Sequence, residues 1–371
     1  MIYLDYAANH PVRKEVLEEF IKVEERYYGN ANSLHNLGKE SLSFFEEMNS
    51  KFFKLLKLDP NKYEIIYTSS ATESNNMVIK GIYSSYGGYS NLFLSSQFEH
   101  SSINSPLAYL KDLGANISLI NTDKNGKCSL DDLKEKLKNK PILTCLCAVE
   151  SEVGTIQDYK DFQKEINKSD GFLLLDATQA IGKINFEFNG YDFISFAPHK
   201  YGGIIGTGIL IKRKDIVLTP LHHGGKSISL YRSSTPALGL IASSIKATEI
   251  ALKEQEGNFN KVKELSDYLV NELKKIDNIR INSFLENPYI INISIKGKKA
   301  YESVEYLNKN GICVSQKSAC SLINTPSKVI NAIYHDKQRA MESFRISISE
   351  LTKLDEIKTL IKTLGEYIKN A

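Results

Sequence analysis

Tyr191-Asp-Phe-Ile-Ser-Phe-Ala-Pro-His-Lys-Tyr-Gly-Gly203 is a short apolar run that ends in a basic pair and a glycine turn. Tyr191 to Phe196 has the length and the β-branched and aromatic content of a buried strand, and it delivers His199 and Lys200 straight into the turn. A lysine at such a strand end is walled by apolar surface. That setting disfavours the ammonium and leaves an amine able to condense with an aldehyde. Read alone, the segment is equally a solvated His-Lys turn.

Outward from this run, others like it stand at Glu64 to Thr68, Asn91 to Ser95, Ile117 to Ile120, Pro141 to Val149, Gly171 to Asp176 and Gly208 to Lys212. Amphipathic stretches separate most of them, and the segments Pro11 to Tyr28 and Leu37 to Leu58 have helical spacing. Short apolar strands alternating with helices predict an α/β fold, with a mostly parallel seven-stranded sheet buried on both faces. After Thr235-Pro236 a long helical region runs to about Ile276, with an interruption expected near Gly257-Asn-Phe-Asn260. The remainder predicts strands at Tyr289 to Ile295, Ile312 to Ser315 and Phe344 to Ser349, and helices at Lys299 to Asn308, Ser327 to Ala332 and Thr352 to Asn370. We therefore expect a large α/β domain over residues 12–255 and a smaller α+β domain from residues 1–11 plus 256–371.

The chain has 371 residues, enough for about two domains, and its 42% apolar and 25% charged residues are ordinary for a globular protein. Forty-seven basic and forty-four acidic residues leave a net charge of +3, without a basic cluster rich in aromatics, so a nucleic-acid footprint is not indicated. No run approaches the roughly 18 apolar residues of a membrane span, and the start lacks a signal-like pattern. A cytoplasmic location is the expectation. The five cysteines, Cys128, Cys145, Cys147, Cys313 and Cys320, are odd in number and lack C-x-x-C spacing, against a disulfide framework or a structural zinc site.

In parallel sheets, ligands collect at the carboxyl ends of strands. Five of these ends are polar: Thr68-Ser-Ser-Ala-Thr-Glu-Ser74, Glu99-His100, Glu150-Ser151, Asp176-Ala-Thr-Gln179 and His199-Lys200. Asp176 closes a wholly apolar strand, where a carboxylate needs a cationic or donor partner. A protonated pyridine would serve, and helix capping is the alternative. The Ser69 to Ser74 stretch opens a helix whose N-terminus suits a phosphate or simply an ordinary cap. His100 is placed to stack on a planar ring and exchange protons, or to be structural. Arg345 could fork a carboxylate or make an interdomain ion pair. Pyridoxal 5'-phosphate (PLP) is the cofactor that Lys200 and Asp176 suggest together. Cys320 sits in the polar loop Ser315-Gln-Lys-Ser-Ala-Cys320, near enough to Lys317 to favour its thiolate, whereas Cys145 and Cys147 alternate on a strand and read as core.

Assembled, these residues resemble the cysteine desulfurases of the class V aminotransferase branch of PLP enzymes. The resemblance runs through Leu4-Asp-Tyr-Ala-Ala8, Tyr28-Gly-Asn-Ala-Asn-Ser33, Ala71-Thr-Glu-Ser74, Glu99-His100, Asp176-Ala-Thr-Gln179, His199-Lys200, Arg232-Ser-Ser-Thr235, Ser318-Ala-Cys320 and Arg345. It implies the fold of the aspartate-aminotransferase type. It also implies that Lys200 carries the cofactor, His100 stacks on its ring, Asp176 pairs with the ring nitrogen, and Gln179 and Ser151 lie at the ring hydroxyl. Ala71, Thr72 and His199 would bind phosphate, with Thr235 supplied by the second subunit of a homodimer, and Arg345 with Asn30 would hold the substrate carboxylate. L-cysteine would become L-alanine, with sulfur carried as a persulfide on Cys320 to an acceptor such as an iron–sulfur scaffold or a tRNA-thiolation enzyme. A lyase or aminotransferase acting on selenocysteine or another thio-amino acid, and a catalytically silent scaffold, are the other readings. The chain departs from the family pattern at Glu150-Ser151, where paired asparagines are usual, at Ala197, where a serine is usual, and at Gln316-Lys317.

Overall fold

Phe172-Leu-Leu-Leu-Asp176 has no polar face, so a strand made from it must be covered on both sides. In the computed structural model, which describes residues 1–225, 227–317 and 324–369, Leu173, Leu174 and Leu175 are buried at the centre of a helix–sheet–helix sandwich. The chain begins with β1 (Ile2–Tyr3), α1 (Lys14–Arg26), α2 (Asn36–Leu55), β2 (Tyr63–Thr68), α3 (Ala71–Tyr86), β3 (Leu92–Ser95), α4 (Ser101–Asp112) and β4 (Asn116–Leu119). It continues through α5 (Leu130–Leu137), β5 (Leu143–Cys147), α6 (Tyr159–Ile166), β6 (Phe172–Asp176), β7 (Phe193–Phe196), β8 (Gly208–Arg213) and α7 (Leu238–Leu273). It ends with β9 (Ile279–Ile281), β10 (Ile290–Ile295), α8 (Ala300–Lys309), β11 (Ile312–Cys313), α9 (Lys328–Tyr334), α10 (Lys337–Glu342), β12 (Ser343–Ser347) and α11 (Leu354–Lys369).

Seven strands form one sheet in the order β2-β8-β7-β6-β5-β3-β4. β8 pairs antiparallel with both β2 and β7, and the other pairings are parallel, as the apolar runs predict. One apolar cluster fills each face: Phe52, Leu146, Leu175 and Phe196 belong to one, Met77, Phe93, Leu174 and Phe193 to the other. β2 and β4 are the two edge strands, and no residue from the end of β4 lines the cleft described below.

The second sheet is antiparallel, β12-β10-β9, and its core is a separate cluster around Ile291, Ile293, Phe344 and Leu360. The N-terminal arm belongs to this layer. β1 pairs parallel with β11, and Asp5 bridges to Ser347 beside β12. β9 and α10 were not anticipated; Ile279-Arg-Ile281 is half-buried and too short to carry a period.

The expected break near Gly257 does not occur. α7 runs unbroken for 36 residues, Leu238–Leu273. A helical glycine costs about 1 kcal/mol relative to alanine, and packing of α7 against α1 and α11 offsets that. Among the described residues no helix is long and apolar enough to cross a membrane.

If β6 is the double-covered centre, Leu174→Ala should lower stability by about 2–5 kcal/mol. Urea unfolding followed by circular dichroism would read this as an earlier midpoint. An unchanged midpoint would contradict the two-sided burial.

Candidate functional site

The carboxyl ends of β2, β5, β6 and β7 surround a cleft of about 1030 Å³, closed on the far side by Arg345 of β12. Ala71, Thr72, His100, Ser151, Asp176, Gln179, His199, Lys200 and Arg345, each a predicted site residue, line it together. Asn30 and Thr235 are exposed and are not among its lining residues. Cys320 lies outside the described residues.

Lys200 follows β7 in a single turn of 3₁₀ helix, Pro198–Lys200. Its Nζ donates to the carbonyl oxygens of Ala8 at 2.6 Å and Ala7 at 3.0 Å, so the N-terminal arm holds the amine. Gln179 donates from Nε2 to the same Ala7 oxygen at 2.9 Å.

Asp176 ends β6 with both carboxylate oxygens engaged. Oδ2 accepts from Asn75 Nδ2 at 3.0 Å and Oδ1 from the Thr178 amide at 2.9 Å. Asn75 also donates to Ser102 Oγ at 2.9 Å and accepts from Ser195 Oγ at 2.5 Å. Asn75, Ser102 and Ser195 are buried polar residues on three elements, and the reading of the strand ends missed them. The signal available was weak: a polar residue inside an apolar helix or strand invites a partner, but not a particular one.

His100 caps α4, its Nδ1 accepting from the Ser102 amide at 3.1 Å and lying 2.9 Å from Ser102 Oγ. With Ser102 donating to Nδ1, the neutral ring carries its proton on Nε2. Burial pulls its pKa down; Asp176 opposes this, and Lys200 and Arg345 add to it. His100 thus has a structural part as the cap of α4 and also lines the cleft.

At the other end of the cleft, Ser70 caps α3 through the Glu73 amide at 3.1 Å, and Glu73 returns a bond to the Ser69 amide at 2.7 Å. The first amides of a helix have no acceptor within it and carry partial positive charge. Ala71 and Thr72 supply them here. His199 lines the same cleft, its Nδ1 buried with no partner among the described residues; burial first, then Lys200 and Lys183, pull its pKa down to about 4.

Arg345 is 2% exposed. Its Nη1 donates to the Ser151 carbonyl at 2.7 Å and its Nη2 to Asp5 Oδ1 at 2.9 Å, while Nε is buried without a partner among the described residues. Burial pushes the pKa of Asp5 up more than Arg345 holds it down. Arg345 thus does form an ion pair, but with Asp5 of the N-terminal arm beside its own sheet; what reaches the large sheet is the hydrogen bond to the Ser151 carbonyl. Glu150 turns away from the cleft and accepts from the amides of Glu152 and Val153 at 2.6–2.8 Å. Cys147, expected as core, is buried but also lines the cleft.

The cleft therefore offers an amine, a fixed carboxylate, an imidazole and a guanidinium, with helix-terminal amides for an anion. Among the described residues no cluster of histidine, cysteine and acidic side chains could hold a metal ion.

A family model described as Aminotransferase class-V matches residues 2–360. Cysteine desulfurase IscS of Dictyoglomus turgidum is 32% identical over 374 residues, 99% of this chain and 94% of that protein. The mitochondrial cysteine desulfurase of Saccharomyces cerevisiae is 31% identical over 378 residues, 99% and 75% of the two chains. Among solved structures, a NifS-like protein superposes with a TM-score of 0.92 at 28% identity over 100% of both chains. A NifS-like protein from Rickettsia africae gives 0.88 at 27% identity, again over 100% of both. With this likeness running from end to end, and with the strand-end residues gathered in one cleft, the chain belongs to the class-V aminotransferase family, in its cysteine desulfurase branch.

Proposed function

We propose that this cleft binds PLP and uses it to take sulfur from L-cysteine, releasing L-alanine and leaving the sulfur on Cys320. The observation that carries the proposal is the meeting of Lys200, Asp176 and His100 at three strand ends with Arg345 from the other sheet. Two orphaned nitrogens support the fit. Among the described residues His199 Nδ1 and Arg345 Nε are buried without partners, which costs free energy that a bound anion would recover. A phosphate at Ala71, Thr72 and His199 answers the first, and a substrate carboxylate at Arg345 the second.

When bound, PLP supplies an aldehyde for the substrate amine and a cationic ring that draws electrons from the α carbon. Asp176, held on both oxygens, would pair with the ring nitrogen and favour its protonated form. Gln179 would hold the ring hydroxyl, Ser151 would lie among the cofactor-binding residues, and His100 would cover the ring. Lys200 would hold the cofactor and supply the base for the α proton. Arg345 orients the carboxylate. The Cys320 thiolate attacks the substrate sulfur; the carbon–sulfur bond breaks as the sulfur–sulfur bond forms, and a proton returned to carbon completes alanine.

The frame on either side of Cys320 supports this role. The backbone of Ser315 exchanges hydrogen bonds with that of Arg345 at 2.7 and 3.1 Å, so the loop departs from beside the carboxylate site. It returns at Ser327, whose Oγ donates to Glu152 at 2.5 Å. Lys317 is buried, and its Nζ donates to Thr325 O at 2.6 Å and Oγ1 at 2.7 Å; burial lowers its pKa.

We assign the large sheet unit to residues 12–255 and the smaller one to 1–11 plus 256–371, with α7 crossing between them. Exposed Leu34, Ile205 and Leu230 support a homodimer, in which Thr235 serves the partner's cleft. Asn30 would reach a substrate carboxylate only by movement of its segment. A sulfur-acceptor protein completes the cycle.

With L-cysteine and a thiol reductant, the protein should form alanine and sulfide in equal amounts; alanine without sulfide would overturn the proposal. Cys320→Ser should keep bound PLP, seen by its visible absorption, and lose sulfide formation. Asp176→Asn should lower kcat by about 10²-fold or more, since a neutral partner no longer holds the ring cationic. A kcat within twofold of the wild type would remove Asp176 from that role.

A further inference from the structure

Lys183 lies seven residues beyond the end of β6 and is 6% exposed. Its Nζ donates to Gln179 Oε1 at 2.5 Å, its one hydrogen-bond acceptor among the described residues. Gln179 passes the contact on, donating from Nε2 to the Ala7 carbonyl at 2.9 Å, and Lys200 Nζ donates to that same oxygen at 3.0 Å. Three hydrogen bonds thus connect the two lysines.

The backbone is shaped to bring Lys183 there. Gly182 has φ +74, in the left-handed region, and a Cβ on it would stand 2.8 Å from Ala251 Cβ on α7. Only glycine meets both demands without strain. The reversal turns Lys183 back beneath Gln179, and Gln255 of α7 holds its carbonyl at 3.3 Å.

A lysine amine is rarely buried without an anion. Here the facing charges are mostly of its own sign. Lys200, Arg345 and His199 lie near it, and Glu350 is the attracting group. Glu350 is already engaged by His10 at 3.1 Å and Arg13 at 2.9 Å. Tyr6, Tyr201 and Tyr289 complete a small chamber that Lys183 and Lys200 share, on the side away from the cleft. Burial first, then Lys200 and Arg345, pull the Lys183 pKa down to about 7.

We propose that Lys183 is a positioning residue for the amine site: it locks the Gln179 amide by its oxygen and, through the shared Ala7 carbonyl, sets the place of Lys200. A freely rotating Gln179 could present either end to the Ala7 carbonyl. With Lys183 on Oε1, only the NH₂ end can face it. This inference rests on PLP binding in the cleft.

The test compares wild type, K183M, K183R, Q179L and the K183M/Q179L double variant, with three readouts: PLP affinity by titration, the pH midpoint of the bound PLP absorption band, and thermal stability of the cofactor-free protein against pH. K183M should weaken PLP binding about fivefold, the worth of one hydrogen bond, and shift the band's midpoint, because the Gln179 amide that shares the Ala7 carbonyl with Lys200 is no longer locked. Q179L should show a similar loss, with K183M adding nothing further to it. K183R keeps the donor and should restore affinity.

The stability readout has a definite sign. The folded pKa of Lys183 lies below the unfolded value, so between about pH 7 and 10.4 the unfolded chain binds more protons and stability rises with pH. K183M and K183R should both flatten that rise, the first having no titrating group and the second one that stays charged. Wild-type affinity and midpoint in folded K183M, or fully additive losses in the double variant, would overturn the proposal. A wild type that takes up no PLP would instead overturn the cofactor reading itself, and this inference with it.

Discussion

Two consecutive carbonyl oxygens, those of Ala7 and Ala8, hold the Lys200 amine, and everything else in the site is arranged around that hold. The arm that provides them belongs to the small sheet. Leu4 donates to the Cys313 carbonyl and accepts from Ser347, and the Ala7 amide donates to Ser347 Oγ at 2.9 Å. From the same arm Asp5 reaches Arg345, and His10 donates its amide to the His199 carbonyl. A lysine on one sheet and an arginine on the other are therefore fixed by one stretch of backbone, so the two layers share a single geometry.

Burying so much charge has a price, visible in the acidic groups around the cleft. Burial pushes Glu99 and Glu150 up to about 8, and Glu152 upward as well. The basic groups move the other way, His100, His199 and Lys183 all downward. A site with neutral imidazoles and a lysine poised near neutrality is suited to passing protons among carbon, nitrogen and sulfur. Within it Asp176 is held on both oxygens by the Asn75 and Thr178 donors.

Desulfuration also needs a thiol that can travel. The route to Cys320 is anchored at Ser315 on Arg345 and at Ser327 on Glu152, both beside the cleft. Arg345, which lines the cleft, and Ser315, which pairs with it, tie one end of that frame to the small sheet, whose strands β10 and β12 are fully buried.

Much of this was legible in the chain itself. The seven apolar runs pointed to the class of fold, because strands without a polar face must be covered on both sides, as a mostly parallel sheet between helices does; β8, antiparallel to both neighbours, is the exception in direction. The polar residues at their ends then named Lys200, Asp176, His100 and the Ser69 to Ser74 helix start, since the carboxyl ends of a parallel sheet converge. Periodicity misled at Gly257, where long-range packing outweighs a local propensity, and was silent on β9 and α10, which are too short to show a period. Asn75, Ser195, Ser102 and Lys183 could not be assigned from sequence. Their meaning is in whom they touch, and those contacts join residues up to 120 positions apart. Local composition determines which elements form; which buried polar groups find one another is decided only when the sheets close around them, because a hydrogen bond depends on a distance in space that spacing along the chain does not specify.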